Sequence, residues 1–165
     1  MAGSAWEADY VEYFRARAHW LRRIAFTLCG DWYAADDLVQ STFLQLYRRW
    51  RRIQPGSEDA YARRVLVNLF LTGRRRPRRE DSVAELPESA APLRADSDDR
   101  VDLARALAGL PARQRAMVVL RYLEDLPIAE VAALLGVAEG TVKSQTSKAV
   151  RQLRTVLSGP APARN

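Results

Sequence analysis

"LLGVAEGTVKSQTSKAV", residues 134–150, is the stretch whose reading decides the fold. An apolar helical pattern (Ile128, Val131, Ala132, Leu135) runs into Gly136, a residue that accepts the left-handed backbone ending a helix. Val137 points back to the core from the turn, and a second helix starts at once. On that helix Val142, Thr146, Ala149 and Leu153 fall at successive turns and face inward. Lys143, Ser144, Ser147, Lys148 and Arg151 are thereby turned outward, with Thr141 at the helix start. A small residue at the helix crossing, Ala132, a tight turn and a polar second helix together predict a helix-turn-helix. Lysine and arginine bind phosphates or guanine edges, and serine and threonine bond bases or backbone. The N–H groups beside Thr141 favour a phosphate. The same spacing also fits a helical hairpin with a solvated face, so the rest of the chain has to decide its meaning.

The segment before it continues the helical theme. Leu103, Ala106, Leu107 and Leu110 share one face. Pro111 suits the first turn of the next helix, where a missing N–H costs nothing. Met117, Val118, Leu120 and Tyr122 extend the expected core, and Pro127 opens the helix that ends at Gly136.

Three more helices are expected before residue 77. In the first, Val11, Phe14, Ala18, Leu21, Ala25 and Leu28 recur at threes and fours. Gly30 ends it and Asp31 caps the second. That helix carries Ala35, Leu38, Val39, Thr42, Phe43, Leu46 and Trp50. "QPGS", 54–57, is a turn, and the third helix follows with Tyr61, Val65, Leu66, Leu69 and Phe70. Composition then shifts to a basic run, "RRRPRRE", and to "DSVAELPESAAPLRADSDD", which has no periodic apolar face. The expected fold is all-α: two small helical domains, 8–78 and 99–157, joined by a flexible acidic linker, 79–98, with a tail at 158–165. Domains this small are marginally stable alone.

Charge and chemistry narrow the function. Twenty-six Lys and Arg against 20 Asp and Glu leave a formal net charge of +6, which favours a polyanionic partner. Arg63, Arg64, Arg74, Arg75, Arg76, Arg78 and Arg79 lie on or just after the third helix, with Tyr61, Asn68 and Phe70 among them. Guanidinium groups neutralise phosphates and aromatics stack on unpaired bases, a combination suited to opened DNA. Phe70 is read as core. Cys29, the single cysteine, excludes an intrachain disulfide and reads as a small apolar residue near a helix end. No apolar run approaches the roughly 20 residues that span a bilayer, and "MAGSAWEADY" has no signal-peptide pattern, so a cytoplasmic location without membrane insertion is expected. Asp36 and Asp37 are adjacent on a helix and point about 100° apart, with no second ligand cluster. His19 reads as a helix-surface or partly buried residue. Neither phosphate loop, zinc spacing nor nucleophile motif is present, so no catalytic residue, metal or cofactor is expected.

Two longer stretches carry a resemblance. "GDWYAADDLVQSTFLQLYRRWRRI" followed by "AYARRVLVNLFLTGRRR" resembles region 2 of a bacterial sigma factor, and "GLPARQRAMVVLRYLEDLPIAEVAALLGVAEGTVKSQTSKAVRQLR" resembles region 4. With no room for a region 3 domain between them, the arrangement is similar to the extracytoplasmic-function (ECF, group IV) type. "DAYARRVLVNL" is similar to the SigE-like branch of actinobacteria. The resemblance covers about residues 10–157. It implies a subunit that binds core RNA polymerase, by the clamp of the largest-type subunit and by the flap, and directs it to promoters. Carried over by position, the polymerase contacts are Asp36, Asp37, Leu38, Gln40, Phe43, Leu44 and Arg48. The loop 53–58 with Tyr61, Arg64 and Asn68, and beyond them Arg74, Arg75 and Arg76, would open the −10 element and hold a flipped non-template base. Thr141, Lys143, Ser144, Ser147, Lys148 and Arg151 would read the −35 duplex. The linker would run toward the polymerase cleft and RNA path, and an anti-sigma factor is a candidate further partner.

This chain departs from the family pattern at Pro127 and Ala138, where serine caps are usual, at Gln145 for a frequent arginine, and at Thr146 for an apolar core residue. Those changes predict a weakened −35 reader. The competing reading is a free-standing helix-turn-helix regulator whose N-terminal half senses or dimerises. The aromatic, arginine-rich third helix argues against it, because a sensor needs no strand-opening surface.

Overall fold

The computed structural model describes residues 3–73 and 97–159. Seven α-helices carry these residues, and no strand occurs among them. Helix α1, Ala5–Cys29, opens with a capping box in which Ser4 and Glu7 satisfy each other's backbone N–H groups. Gly30, at φ 72°, ends it by returning its N–H to the Phe26 carbonyl at 2.7 Å. Asp31 then accepts from the Tyr33 N–H and starts α2, Trp32–Arg49. A 3-10 turn, Trp50–Arg52, and a Pro55–Gly56 turn with Gly56 at φ 89° lead into α3, Glu58–Gly73.

Helices α1, α2 and α3 pack side by side around Leu21, Ala25, Leu28, Ala35, Phe43, Leu46, Leu66 and Val67, all buried. The inward face of α1 differs from the expected one in its first half. Val11 and Phe14 are 41% and 43% exposed, while Tyr10, Tyr13 and Trp20 turn toward the core. Large rings decide this: Tyr10 and Tyr13 meet Trp50 edge-on or tilted at 5.5 and 5.1 Å, and Tyr10 meets Tyr47 at 5.1 Å. Their hydroxyls also find partners, Tyr10 on the Phe43 carbonyl and Tyr13 on Asp59.

The second half comprises α4, Ser97–Ala108, α5, Ala112–Val118, α6, Ile128–Leu135, and α7, Glu139–Leu157. Pro111 and Pro127 sit at the N-caps of α5 and α6. A π-type turn, Val119–Leu123, extends α5, and Asp125 then adopts φ 52°, a left-handed conformation that aspartate tolerates. The unwinding leaves Tyr122 52% exposed rather than in the expected core. Its place is taken by Leu126, whose N–H reaches back to the Leu120 carbonyl.

The two halves do not stand apart. Helix α4 lies along α1, α5 reaches both α1 and α3, and the buried side chains form one continuous cluster across both halves. At the centre of the seam lies Arg115, 5% exposed. Its guanidinium donates to the carbonyls of Leu107, Ala108 and Leu110 and, from the other half, Leu28 at 2.7 Å. Leu28, Leu107 and Ala108 stand in the last turns of α1 and α4, where carbonyls lack intrahelical donors, and Leu110 lies in the turn after α4. The residues of the expected linker up to 96 lie outside the described ones.

Candidate polymerase and nucleic-acid interface

Three surfaces collect the residues singled out by sequence. The first runs along α2. Asp36, Gln40, Leu44 and Arg48 are spaced by four and form one stripe, with Asp37 beside it. Asp37, Gln40 and Arg48 are exposed, Leu44 is 51% exposed, and Leu38 is half-buried. Phe43 must be removed from the polymerase-facing set: its ring is 3% exposed and packs on Phe14 at 4.5 Å. Phe43, one residue before Leu44, lies about 100° round the helix from it, on the edge that packs against Phe14 of α1. Asp36 is partly committed to the fold, since Arg22 grips it at 2.6 Å and Arg22 itself lies over Trp32. Tyr47, 41% exposed and three residues from Leu44, extends the apolar part of this surface and was missed. Its exposure follows from how the ring packs against Tyr10 and Trp6, which spacing along one helix does not reveal.

The second surface surrounds the loop after α2. Arg49, Arg52, Ile53, Gln54, Ser57 and Tyr61 line a hollow of about 280 Å³. Tyr61, Arg64 and Asn68 follow on α3 at spacings of three and four, so they form one row leading away from it. Tyr61 is half-buried, and Arg64 and Asn68 are exposed. Arg49 and Arg52 were not picked out by sequence; they enter through the 3-10 turn, which curls the chain end of α2 around the hollow. Arg74, Arg75 and Arg76 lie outside the described residues. Behind the loop Asp59 anchors α3 to α1 by accepting from Tyr13 at 3.0 Å and Arg17 at 2.9 Å. Burial, and then the bond to Asp59, push the Tyr13 hydroxyl pKa well up.

The third surface is α7. Val142, Thr146, Ala149 and Leu153 are buried, and Thr141, Lys143, Ser144, Ser147, Lys148 and Arg151 are exposed. Lys143, Ser147 and Arg151 form one row, and Thr141, Ser144 and Lys148 the neighbouring one. Ala138 occupies the N-cap without a side-chain bond. Gln145 is half-buried and accepts from the Gln114 amide of α5, so this position holds the two helices together rather than reaching outward. The Thr146 hydroxyl is satisfied inside its own helix by the Val142 carbonyl at 2.6 Å.

Among the described residues no group of three His, Cys, Asp or Glu side chains converges on a point, and no helix is long and apolar enough to cross a membrane. His19 is exposed and Cys29 half-buried. A helix-turn-helix with a basic outer row, and a second helical unit with a basic, tyrosine-lined hollow, place the chain in the class of basic all-helical proteins built to meet a polyanion.

Comparison with known proteins gives that class its name. Residues 13–80 match the family described as Sigma-70 region 2, and residues 100–153 match Sigma-70, region 4. The RNA polymerase sigma-E factor of Streptomyces coelicolor is 38% identical over 152 residues, covering 90% of this chain and 86% of that one. The ECF RNA polymerase sigma factor SigE of Mycolicibacterium smegmatis is 36% identical over 159 residues, 91% of this chain and 62% of its own length. Among solved structures, the sigma factor RpoE of Bartonella quintana, in complex with the anti-sigma factor NepR, aligns with a TM-score of 0.73 at 30% identity, covering 93% of this chain and 99% of that one. CnrH, in complex with the cytosolic domain of CnrY, shares the fold with a TM-score of 0.68 at 19% identity. The chain belongs to the sigma-70 family, in its extracytoplasmic-function branch: it is an RNA polymerase sigma factor, a partner of core polymerase and promoter DNA.

Proposed function

We propose a division of labour among the three surfaces. Residues 8–78 act as region 2, residues 99–157 as region 4, and 79–98 connect them. The α2 stripe of Asp36, Asp37, Leu38, Gln40, Leu44 and Arg48 docks on the polymerase clamp. The hollow beside Tyr61, with Arg64, Asn68 and Arg74, Arg75 and Arg76, takes the melted −10 strand and one flipped base. The α7 rows bind the −35 duplex in the major groove. An anti-sigma protein is proposed as a further partner.

One observation carries this reading. The hollow joins a tyrosine face, a Gln54 amide, a Ser57 hydroxyl and two arginines at one opening beside a row of polar residues. Flipping a base costs a few kcal/mol of unstacking, which a stacking ring and base-edge donors can return. A duplex-only regulator has no use for such a hollow.

Transcription by core polymerase plus this chain tests it. Tyr61→Ala should cut initiation strongly on duplex promoters and much less on the same promoters with the −10 region already mismatched open. Equal losses on both templates would count against the melting role. For docking, Asp37→Lys should weaken competition for core polymerase without lowering the unfolding temperature. Asp36→Lys should lower the unfolding temperature as well, because it removes the partner of Arg22.

A further inference from the structure

Tyr13 of α1 touches both ends of the segment that forms the hollow. At the start of that segment its ring meets Trp50 at 5.1 Å, tilted by 49°. At the far end its hydroxyl donates to Asp59 at 3.0 Å. Trp50 stands between Arg49 and Arg52, and Asp59 between Ser57 and Tyr61, and these four flanking residues line the hollow. Within the segment, the Ile53 N–H bonds the Trp50 carbonyl at 3.2 Å and the Ser57 N–H bonds the Gln54 carbonyl at 3.0 Å, with Gly56 at φ 89°. Each of these bonds closes one local turn. Two turns in series leave the distance from the 3-10 turn to α3 open, and a contact across the ends has to set it.

Tyr13 supplies that contact. A hydrogen bond to a carboxylate is about twice as strong as one between neutral groups. Burial keeps the hydroxyl protonated, so it remains a donor. Arg17 holds the same carboxylate at 2.9 Å, but that pair is 46% and 40% exposed, where water and salt leave an ion pair little strength. Tyr10 also meets the Trp50 ring, edge-on at 5.5 Å. It reaches only the start of the segment; Tyr13 reaches both ends.

We propose that Tyr13 is a positioning residue for the flipped −10 base: its ring and its hydroxyl hold the two ends of the hollow-forming segment at one spacing, and that spacing sets which base the hollow accepts. The inference rests on the reading of the hollow as the base site. Tyr13 acts through Trp50 and Asp59 and touches no DNA itself. A polar site rejects a wrong base by leaving its donors and acceptors unpaired, which works only when those groups stand at fixed separations. Here they are the Gln54 amide, the Ser57 hydroxyl and the arginines, set against the Tyr61 ring. With the hydroxyl bond gone, the segment samples more than one spacing, and the preferred base loses its advantage.

Core polymerase with the full chain, wild type or Tyr13→Phe, transcribes a promoter library randomised through the −35 and −10 elements, at a temperature well below the unfolding midpoint of each chain. Phenylalanine keeps the ring against Trp50 and removes only the hydroxyl. If the segment then keeps its base-holding form in one molecule in ten, apparent affinity for the preferred base falls about tenfold. Tyr13→Phe should therefore reduce the preference at one −10 position by about that factor and leave the −35 preferences intact. Arg17→Met removes the exposed ion pair on Asp59 and spares the tyrosine bond, so it should keep the wild-type −10 preference. An unchanged −10 preference in Tyr13→Phe overturns the proposal. So does an equal fall of the −10 and −35 preferences, or an Arg17→Met chain that loses the −10 preference as fully. Tyr61→Ala separates the two readings. If it flattens the −10 position while Tyr13→Phe does not, only the positioning role fails. If neither changes that position, the hollow is not the base site.

Discussion

Thr146 shows how a single residue can look like a defect and be accommodated. Its position calls for an apolar side chain, and it is 5% exposed, yet its hydroxyl bonds the carbonyl four residues back. Thr146→Val keeps the shape and removes a group whose bond adds little, so stability should change by less than about 1 kcal/mol, in the stabilising direction. Thermal unfolding checks this; a clear loss would mean that the hydroxyl is needed. Tyr13 is the opposite case, a polar group on which the packing depends. Its folded-state pKa lies above the ordinary 10.0, through burial first and the bond to Asp59 second, and that of Tyr10 is raised by burial and by Tyr47. For groups raised in the fold, the native state holds its protons longer than the unfolded chain. Their stabilising contribution is therefore complete below pH about 10 and is lost as the pH climbs above it. Urea unfolding at pH 9 and pH 11 should show the drop, and Tyr13→Phe should flatten it.

At the scale of the helix, the ends matter more than the faces. Helices α1 and α2 start with a side-chain acceptor, Glu7 on the Ser4 N–H and Asp31 on the Tyr33 N–H, while α6 and α7 begin at Pro127 and Ala138 with none. Helix α7 is thus held by packing rather than by its own terminus: Val142, Ala149 and Leu153 inward, and Gln145 tied to Gln114. Ala138→Ser should add about 1 kcal/mol by giving the first turn a side-chain acceptor. Denaturant unfolding of the whole chain measures it, and no gain would mean that this helix start is already satisfied. Gln145 also changes meaning here. The family resemblance casts it as a lost DNA contact; in the fold it lies between α5 and α7, bonded to Gln114.

For the whole molecule, Arg115 is the joint. One buried guanidinium closes the ends of α1 and α4 at once and lies 5.7 Å from the Phe70 ring. Arg115→Leu leaves several carbonyls without donors and should cost about 3–5 kcal/mol, the range for removing one side of a buried charged network. Chemical denaturation reads this directly, and a loss under about 1 kcal/mol would show that water replaces the side chain at no cost. Because the joint spans both halves, a destabilised variant should unfold in one transition if the halves melt together, as the continuous core implies.

Much of this was legible in the sequence. Helical periodicity gave every element around the core of α2, α3 and α7, because each of those helices buries one stripe against neighbours that cover it evenly. The glycine and aspartate punctuation at Gly30, Asp31 and Gly136 was equally plain, since those backbone conformations admit few residues. The polar rows of α7 and α3 followed from the same spacing. Three things needed the fold. The first half of α1 turned its aromatic rather than its aliphatic residues inward, because ring contacts with Tyr47 and Trp50 outweigh a regular stripe. Phe43 left the polymerase-facing set because a face is assigned by what lies opposite it. The packing of the two halves, through Arg115 and Glu124, joins residues 87 and 104 positions apart. Local pattern carries no information about such pairs. Periodicity reports which residues need burial, and only the tertiary structure decides what buries them.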